Sequence, residues 1–217
     1  MRFDELLPGR TDRVALIGTT GSGKTTIAEQ LLPKLPYVVV FDTKGRINWG
    51  RGWQLHRSFD TLRKSKHSHL VYRPAYATVR NMEQVERFWA WVFERGNTTA
   101  YADEVTDFCN GPMVYPFHFG RCITRGRELN VTVWSGSQRP TGIPKICLTE
   151  SETTFVFFLK SADDRKRVAE DTGIDPDAIF ELSKHYFYVV HQSEKFPHGP
   201  HRLALPARSR AHHLRIA

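Results

Sequence analysis

Apolar residues in this chain fall into short unbroken runs, separated by longer stretches in which they recur every three or four positions. The runs at residues 14–17, 37–41, 69–72, 98–102, 129–135, 153–159 and 186–191 are rich in β-branched and aromatic residues and too short for helices, so each predicts a buried strand. Between them, residues 25–32, 59–64, 81–95, 117–128, 145–151, 163–172 and 176–183 predict helices. The clearest is 81–95, where Met82, Val85, Phe88, Trp89 and Val92 mark one face with charges between them, a packing stripe that Gly96 and Asn97 bring to an end. Pro33 and Pro36 stop the first helix and Gly173 stops the 163–172 helix. Strands and helices alternate, so the fold class is α/β with a mostly parallel central sheet. Residues 1–12 form an arm containing Pro8 and Gly9, 13–205 a single domain, and 206–217 a basic tail.

Composition adds a partner class. A chain of 217 residues suits one α/β domain with a full core. Its 31 Lys and Arg against 23 Asp and Glu leave a net charge of +8, which points to a polyanion, with nucleic acid first among polyanions. Cys109, Cys122 and Cys147 are widely separated with no C-x-x-C pair, which fits buried thiols in a reduced compartment. No apolar run approaches the roughly 18–20 residues that span a bilayer and the N-terminus lacks a signal-peptide pattern, so a soluble cytoplasmic protein is expected.

The candidate chemistry sits where the first strand ends. Gly18, Gly23, Lys24 and Thr25 fit G-x-x-x-x-G-K-S/T, with Thr19, Thr20, Gly21 and Ser22 inside the loop and Thr26 just after it. Glycines at these positions let backbone N–H groups turn inward around the phosphates of a nucleotide such as ATP, beside the partial positive charge of a helix N-terminus. Lys24 is placed to reach the β- and γ-phosphates and Thr25 to ligate Mg²⁺. The 98–102 strand runs into two adjacent carboxylates, of which Asp103 suits the Mg²⁺ shell and Glu104 suits general-base activation of water. Gln138, beyond the next strand, is positioned either to contact the γ-phosphate or to cap a turn before Pro140. Residues 45–57 interleave Arg46, Arg51 and Arg57 with Trp49 and Trp53, which fits either a nucleic-acid contact loop or a connector whose tryptophans pack on the domain.

The loop, the strand ending in Asp103 and Glu104, and the segment from Gly126 to Val131 leading into Ser137, Gln138, Arg139 and Pro140 together resemble the FtsK/HerA superfamily of DNA-translocating ATPases. Within it the chain is similar to the small genome-packaging ATPases of tailless viruses with an internal membrane. The resemblance implies a RecA-like P-loop fold of the ASCE type, a three-layer sandwich, with ATP and Mg²⁺ as ligands. It implies a homo-oligomeric ring, usually a hexamer, acting on double-stranded DNA and meeting a capsid vertex or membrane protein. It also implies an arginine that completes the neighbouring subunit's site. Arg127 matches that position best and Arg125 is the runner-up, the alternative being a solvated basic face.

Translocation of double-stranded DNA into a preformed capsid is therefore the expected activity, with a cellular or mobile-element translocase as the variant within the superfamily. A P-loop small-molecule kinase and a membrane-extrusion ATPase like those of filamentous phages are the rivals from other classes. The paired Asp103 and Glu104 with Gln138 argue against the first, and the missing membrane segment against the second.

Overall fold

The computed structural model describes residues 8–45, 49–194 and 196–205. Among them, β1 (Val14–Ile17), β2 (Val38–Phe41), β3 (Gln54–His56), β4 (His69–Tyr72), β5 (Thr99–Ala102), β6 (Thr132–Ser137), β7 (Thr153–Phe157), β8 (Tyr186–His191) and β9 (His198–Arg202) form one sheet. Its order is β3-β4-β2-β5-β6-β1-β7-β8-β9. The first seven strands in that order are parallel, and β8 and β9 turn back antiparallel. This is the α/β class with a mostly parallel sheet that the alternating pattern predicts.

The helices are α1 (Lys24–Leu31), α2 (Phe59–Lys64), α3 (Tyr76–Val79), α4 (Met82–Arg95), α5 (Phe117–Arg125), α6 (Ile146–Thr149), α7 (Ala162–Thr172) and α8 (Pro176–Phe180). Side chains alternate across a strand, so each central strand feeds two cores. Ala15 and Ile17 of β1 join Val39, Phe41 and the apolar faces of α2 to α8, including Phe88, Trp89, Phe119 and Val168. Val14 and Leu16 point the other way and join Ile27, Ala28 and Leu31 of α1, together with Trp49, Trp134 and Phe187. The sandwich is thus three-layered but unequal, with seven helices on one face and α1 alone on the other among the described residues. Trp49 and the half-buried Trp53 extend that thin layer, their rings 4.9 Å apart, with Trp53 edge-on to His69. The tryptophans of the basic segment pack on the domain.

Several local expectations shift. The 117–128 helix ends at Arg125, and a 3₁₀ turn over Gly126–Leu129 follows. Gly126 lies so close to the Val131 carbonyl that a Cβ there would stand 2.5 Å from it, and Asn130 takes a left-handed φ of 53°. That tight reversal delays the strand, which runs from Thr132 to Ser137 instead of 129–135. β3, β9 and α3 have no counterpart in the sequence pattern. β3 is a three-residue edge strand inside the expected connector at 45–57, and β9, His198–Arg202, contains a glycine and a proline that an edge strand tolerates. The three cysteines are free and buried. Burial pushes the thiols of Cys122 and Cys147 up to about 12, so they act as small apolar residues.

Candidate active site

A parallel sheet brings the carboxyl ends of its strands to one edge. Here β2, β5, β6 and β1 lie side by side in that order, with Phe41 level with Ala102 and Ala102 level with Ser135. The residues that leave these strands therefore meet: Asp42 to Lys44, Asp103 and Glu104, Gln138, and Gly18 onward. Ligands of open α/β sheets bind at such an edge, where the strand order reverses direction.

The loop from Gly18 to Gly23 is fixed at both flanks. The N–H of Gly18 donates to Ser137 O at 3.1 Å and that of Thr19 to Phe158 O at 3.0 Å. Gly23 holds a φ of 125°, and a Cβ there would meet Phe157 at 2.9 Å. Only glycine fits both conditions. At Gly18 a Cβ would stand 2.6 Å from Cβ of the same Phe157, so β7 presses the loop into place from behind. Helix α1 then starts at Lys24 with no side-chain cap and no acidic residue in its first turn, which leaves its leading N–H groups available to an anion. Ser22 Oγ is buried without a hydrogen-bond partner. Clefts of about 480 Å³ and about 270 Å³ flank the loop, one between Thr19, Gln138 and Lys160, the other between Thr20, Leu182 and Lys184.

Lys24 folds back into the loop, its Nζ donating to Gly18 O at 2.5 Å and Thr19 O at 3.1 Å. Burial lowers its pKa to about 8, with Glu104 and Asp103 offsetting part of the fall and Lys44 adding to it. Thr25 Oγ1 donates to Asp103 Oδ1 at 3.2 Å, and Tyr101 donates to the same oxygen at 3.0 Å. Burial raises the Asp103 pKa, with Lys44 working against the rise and Asp42 with it. One turn along α1 from Thr25, burial and the Asp103 charge push the Glu29 carboxyl up to about 7. These oxygen donors carry more negative charge than burial tolerates, an environment that fits a hard cation such as Mg²⁺ held by Thr25 and Asp103.

Glu104 is 2% exposed. Its Oε1 accepts from Thr106 Oγ1 at 2.9 Å and from the Gln138 N–H at 3.2 Å. Its Oε2 accepts from Gln138 Nε2 at 2.8 Å and from Lys44 Nζ at 2.8 Å. Gln138 also receives a hydrogen bond from Thr20 at the loop, so one amide bridges loop and carboxylate. The turn that carries Lys44 is itself anchored. Asp42, fully buried, receives Nε and Nη2 of Arg73 at 2.9 and 2.7 Å and the Gly45 N–H at 2.7 Å, while Thr43 donates to Asp107.

Of the residues singled out from sequence, the loop, Lys24, Thr25, Asp103, Glu104 and Gln138 come together. Arg125 and Arg127 do not join them: they precede β6 and so lie at the opposite end of the sheet, Arg127 exposed with Nη2 3.6 Å from Glu152 Oε1. Arg51 is exposed, and Arg46 lies outside the described residues. Sequence reasoning missed Lys44, Thr106 and Tyr101. A signal existed for Lys44, since it follows a buried strand at the ligand-facing edge, but only the strand order reveals that β2 neighbours β5.

No family model matches the sequence, and no curated protein does. Solved structures do share its fold. The genome packaging NTPase B204 of Sulfolobus turreted icosahedral virus 2, in complex with sulfate, superposes with a TM-score of 0.75 at 12% identity, covering 92% of this chain and all of B204. B204 with ATP-gammaS gives 0.71 at 15% identity, over 89% and 99% of the two chains. The bacterial conjugative coupling protein TrwB gives 0.64 at 9% identity, over 87% and 84%. The chain therefore shares the RecA-like P-loop α/β fold of these structures.

Proposed function

We propose that this chain is a Mg²⁺-dependent ATPase motor that translocates double-stranded DNA and packages a viral genome into a preformed capsid. The observation that carries the enzymatic part is the hydrogen-bonded path from the phosphate loop through Gln138 to Glu104, beside Thr25 and Asp103. Translocation draws its support from the fold shared along the whole of B204, a genome packaging NTPase, and from the net charge of +8. A conjugative translocase is the second reading, favoured by the likeness to TrwB, though the fold extends over less of that chain.

The α1 N-terminus and loop N–H groups bind the triphosphate, and Lys24 leaves its two carbonyls to pair with phosphate oxygens. Thr25 and Asp103 would hold the Mg²⁺, which would supply positive charge to the phosphates. Glu104 takes a proton from the attacking water, and Gln138 reports the γ-phosphate from the adjacent strand end. Arg127, with Arg125 as the alternative, acts on the neighbour's site in a homo-oligomeric ring of six, because its own loop is at the far end of the sheet. Arg46 and Arg51 contact DNA phosphates in the ring channel. The motor works in the cytoplasm at a capsid vertex. Among the described residues no helix is long and apolar enough to cross a membrane.

The test is ATP hydrolysis with and without long double-stranded DNA at low salt, for wild type and Glu104→Gln. Stimulation by DNA that is lost in Glu104→Gln, with ATP binding retained, supports the reading. Turnover retained in Glu104→Gln removes Glu104 as the base, and turnover only with a small-molecule acceptor removes the motor.

A further inference from the structure

Large apolar side chains that a folded chain leaves clustered in water mark contact surfaces. Among the described residues they sit at the two ends of the sheet, where strands begin or finish, and not along the outer surfaces of the helical layers. At the end that carries the phosphate loop, Met113 is 81%, Val114 52% and Phe117 68% exposed. At the opposite end, Tyr37, immediately before β2, is 45% exposed and Leu129, shortly before β6, is 40% exposed.

The first cluster is held out by its own backbone. It belongs to the segment that leaves β5 past Glu104 and enters α5 at Phe117, with Gly111, Pro112 and Pro116 along it. The Asn110 N–H donates to Val114 O at 2.8 Å and closes the turn. Tyr115 is the anchor: its ring lies 6.5 Å from that of Phe119, and a Cβ on Gly120 would stand 2.8 Å from it. Met113 and Val114 are therefore presented on a braced turn. The second cluster flanks Arg127. Leu129 O accepts the Asn97 N–H at 2.8 Å and Tyr37 O accepts the Thr99 N–H at 2.9 Å, so the two residues stand on either side of the start of β5. Arg127 lies in the same 3₁₀ turn as Leu129, its side chain 68% exposed.

An arginine at one end of a sheet reaches a phosphate loop at the other end only in another molecule, and only where the two sheets meet end to end. Such a contact joins different surfaces of the two copies, and repeating it with a fixed rotation closes a ring. We infer that copies of this chain associate head to tail, with Met113, Val114 and Phe117 of one copy seated against Tyr37 and Leu129 of the next, beside the incoming Arg127. This rests on Arg127 acting at the neighbour's site, while the exposure of the two apolar clusters is independent of that role. The same contact that brings the arginine to the nucleotide removes both clusters from water, which favours assembly and a completed site together.

The experiment pairs sedimentation velocity of wild type and Met113→Asp with bismaleimide cross-linking of Val114→Cys and Leu129→Cys. All samples hold ADP and beryllium fluoride at low salt, with and without a short DNA duplex. The three native cysteines are buried, so the introduced thiol is the one that reacts. Mixed, the two cysteine variants are expected to give a covalent pair, and each alone none. Met113→Asp is expected to keep the wild-type melting temperature, because its side chain is already in water, and to weaken assembly by at least about tenfold. Linking of Val114→Cys to itself overturns the inference, because the contact is then two-fold and not head to tail. Assembly with no link in the mixture overturns it as well, as does assembly that Met113→Asp leaves intact. A wild type that stays monomeric in every condition defeats the ring reading itself, so the two failures are separable.

Discussion

Lys24 makes the stability of the nucleotide-free chain depend on pH in a way that isolates the phosphate loop. It is 6% exposed, and its ammonium donates to the Gly18 and Thr19 carbonyls. Burial lowers its pKa from 10.5 to about 8, so the folded chain sheds this proton before the unfolded one does. A depressed folded pKa gives a contribution that is complete above 10.5 and is lost as the pH falls through about 8. The drop of about 2.5 corresponds to about 3 kcal/mol at ~1.4 kcal/mol for each pH unit, of which about 2 kcal/mol appears between about pH 7 and about pH 9.5. Lys24→Met keeps the stem and deletes the charge, leaving two loop carbonyls without this donor at about 1 kcal/mol each. On these figures the variant should lead wild type by about 1 kcal/mol at about pH 7 and trail it by about 1 kcal/mol at about pH 9.5. Urea unfolding of both proteins without nucleotide at the two pH values measures this. Taking the difference between proteins removes the shared titration of cysteines and tyrosines. A difference that does not change with pH would refute the claim that the loop lysine rests as a buried cation.

Four further outcomes follow from particular side chains. Gly136→Ala places a methyl 2.5 Å from the Asp103 carbonyl oxygen, so its denaturation midpoint should fall by the equivalent of about 1–3 kcal/mol and turnover with it, and a wild-type midpoint would show that β5 and β6 have room to part. Arg73→Met strips the fully buried Asp42 of its cation and should cost about 3 kcal/mol in urea unfolding. Mixing Arg127→Ala with Lys24→Ala subunits, each inactive alone, should restore turnover at mixed boundaries if the arginine acts across the ring, and no recovery in assembled rings counts against it. Replacing Arg46 and Arg51 should lower the salt slope of DNA binding by about one for each phosphate that is no longer neutralised, and an unchanged slope makes the segment a connector.

Much of the site was legible because its parts are contiguous or follow buried strands. The loop from Gly18 to Thr25 needs its glycines and its lysine at fixed spacing, and the adjacent Asp103 and Glu104 stand out after an apolar strand. The core faces were legible in the main: of the stripe read at the helical period, Val85, Phe88, Trp89 and Val92 are buried, while Met82, at the start of the helix, is exposed. The edge strands were not, because Gln54–His56 and His198–Arg202 pair on one side or have few apolar residues to alternate. The helix before β6 ended early for a steric reason invisible in its periodicity, the close approach of Gly126 to the Val131 carbonyl.

The residues 13–26 by themselves determined that the chain has a phosphate loop, since a strand, a glycine turn and a helix start suffice to build one and all three are local. Alternation by itself determined a mostly parallel sheet. What the tertiary structure decided is which strand ends become neighbours. Hydrophobic pattern marks a strand as buried on both faces but carries no information on its place in the order, because every central strand looks alike from within. Only the order β2-β5-β6-β1 sets Lys44 and Gln138 on the two sides of Glu104, and only packing turns Trp49 and Trp53 from exposed indoles into the cover of the thin layer. Both outcomes depend on residues dozens of positions apart coming together, where the free energy of burial, and not local preference, selects the partner.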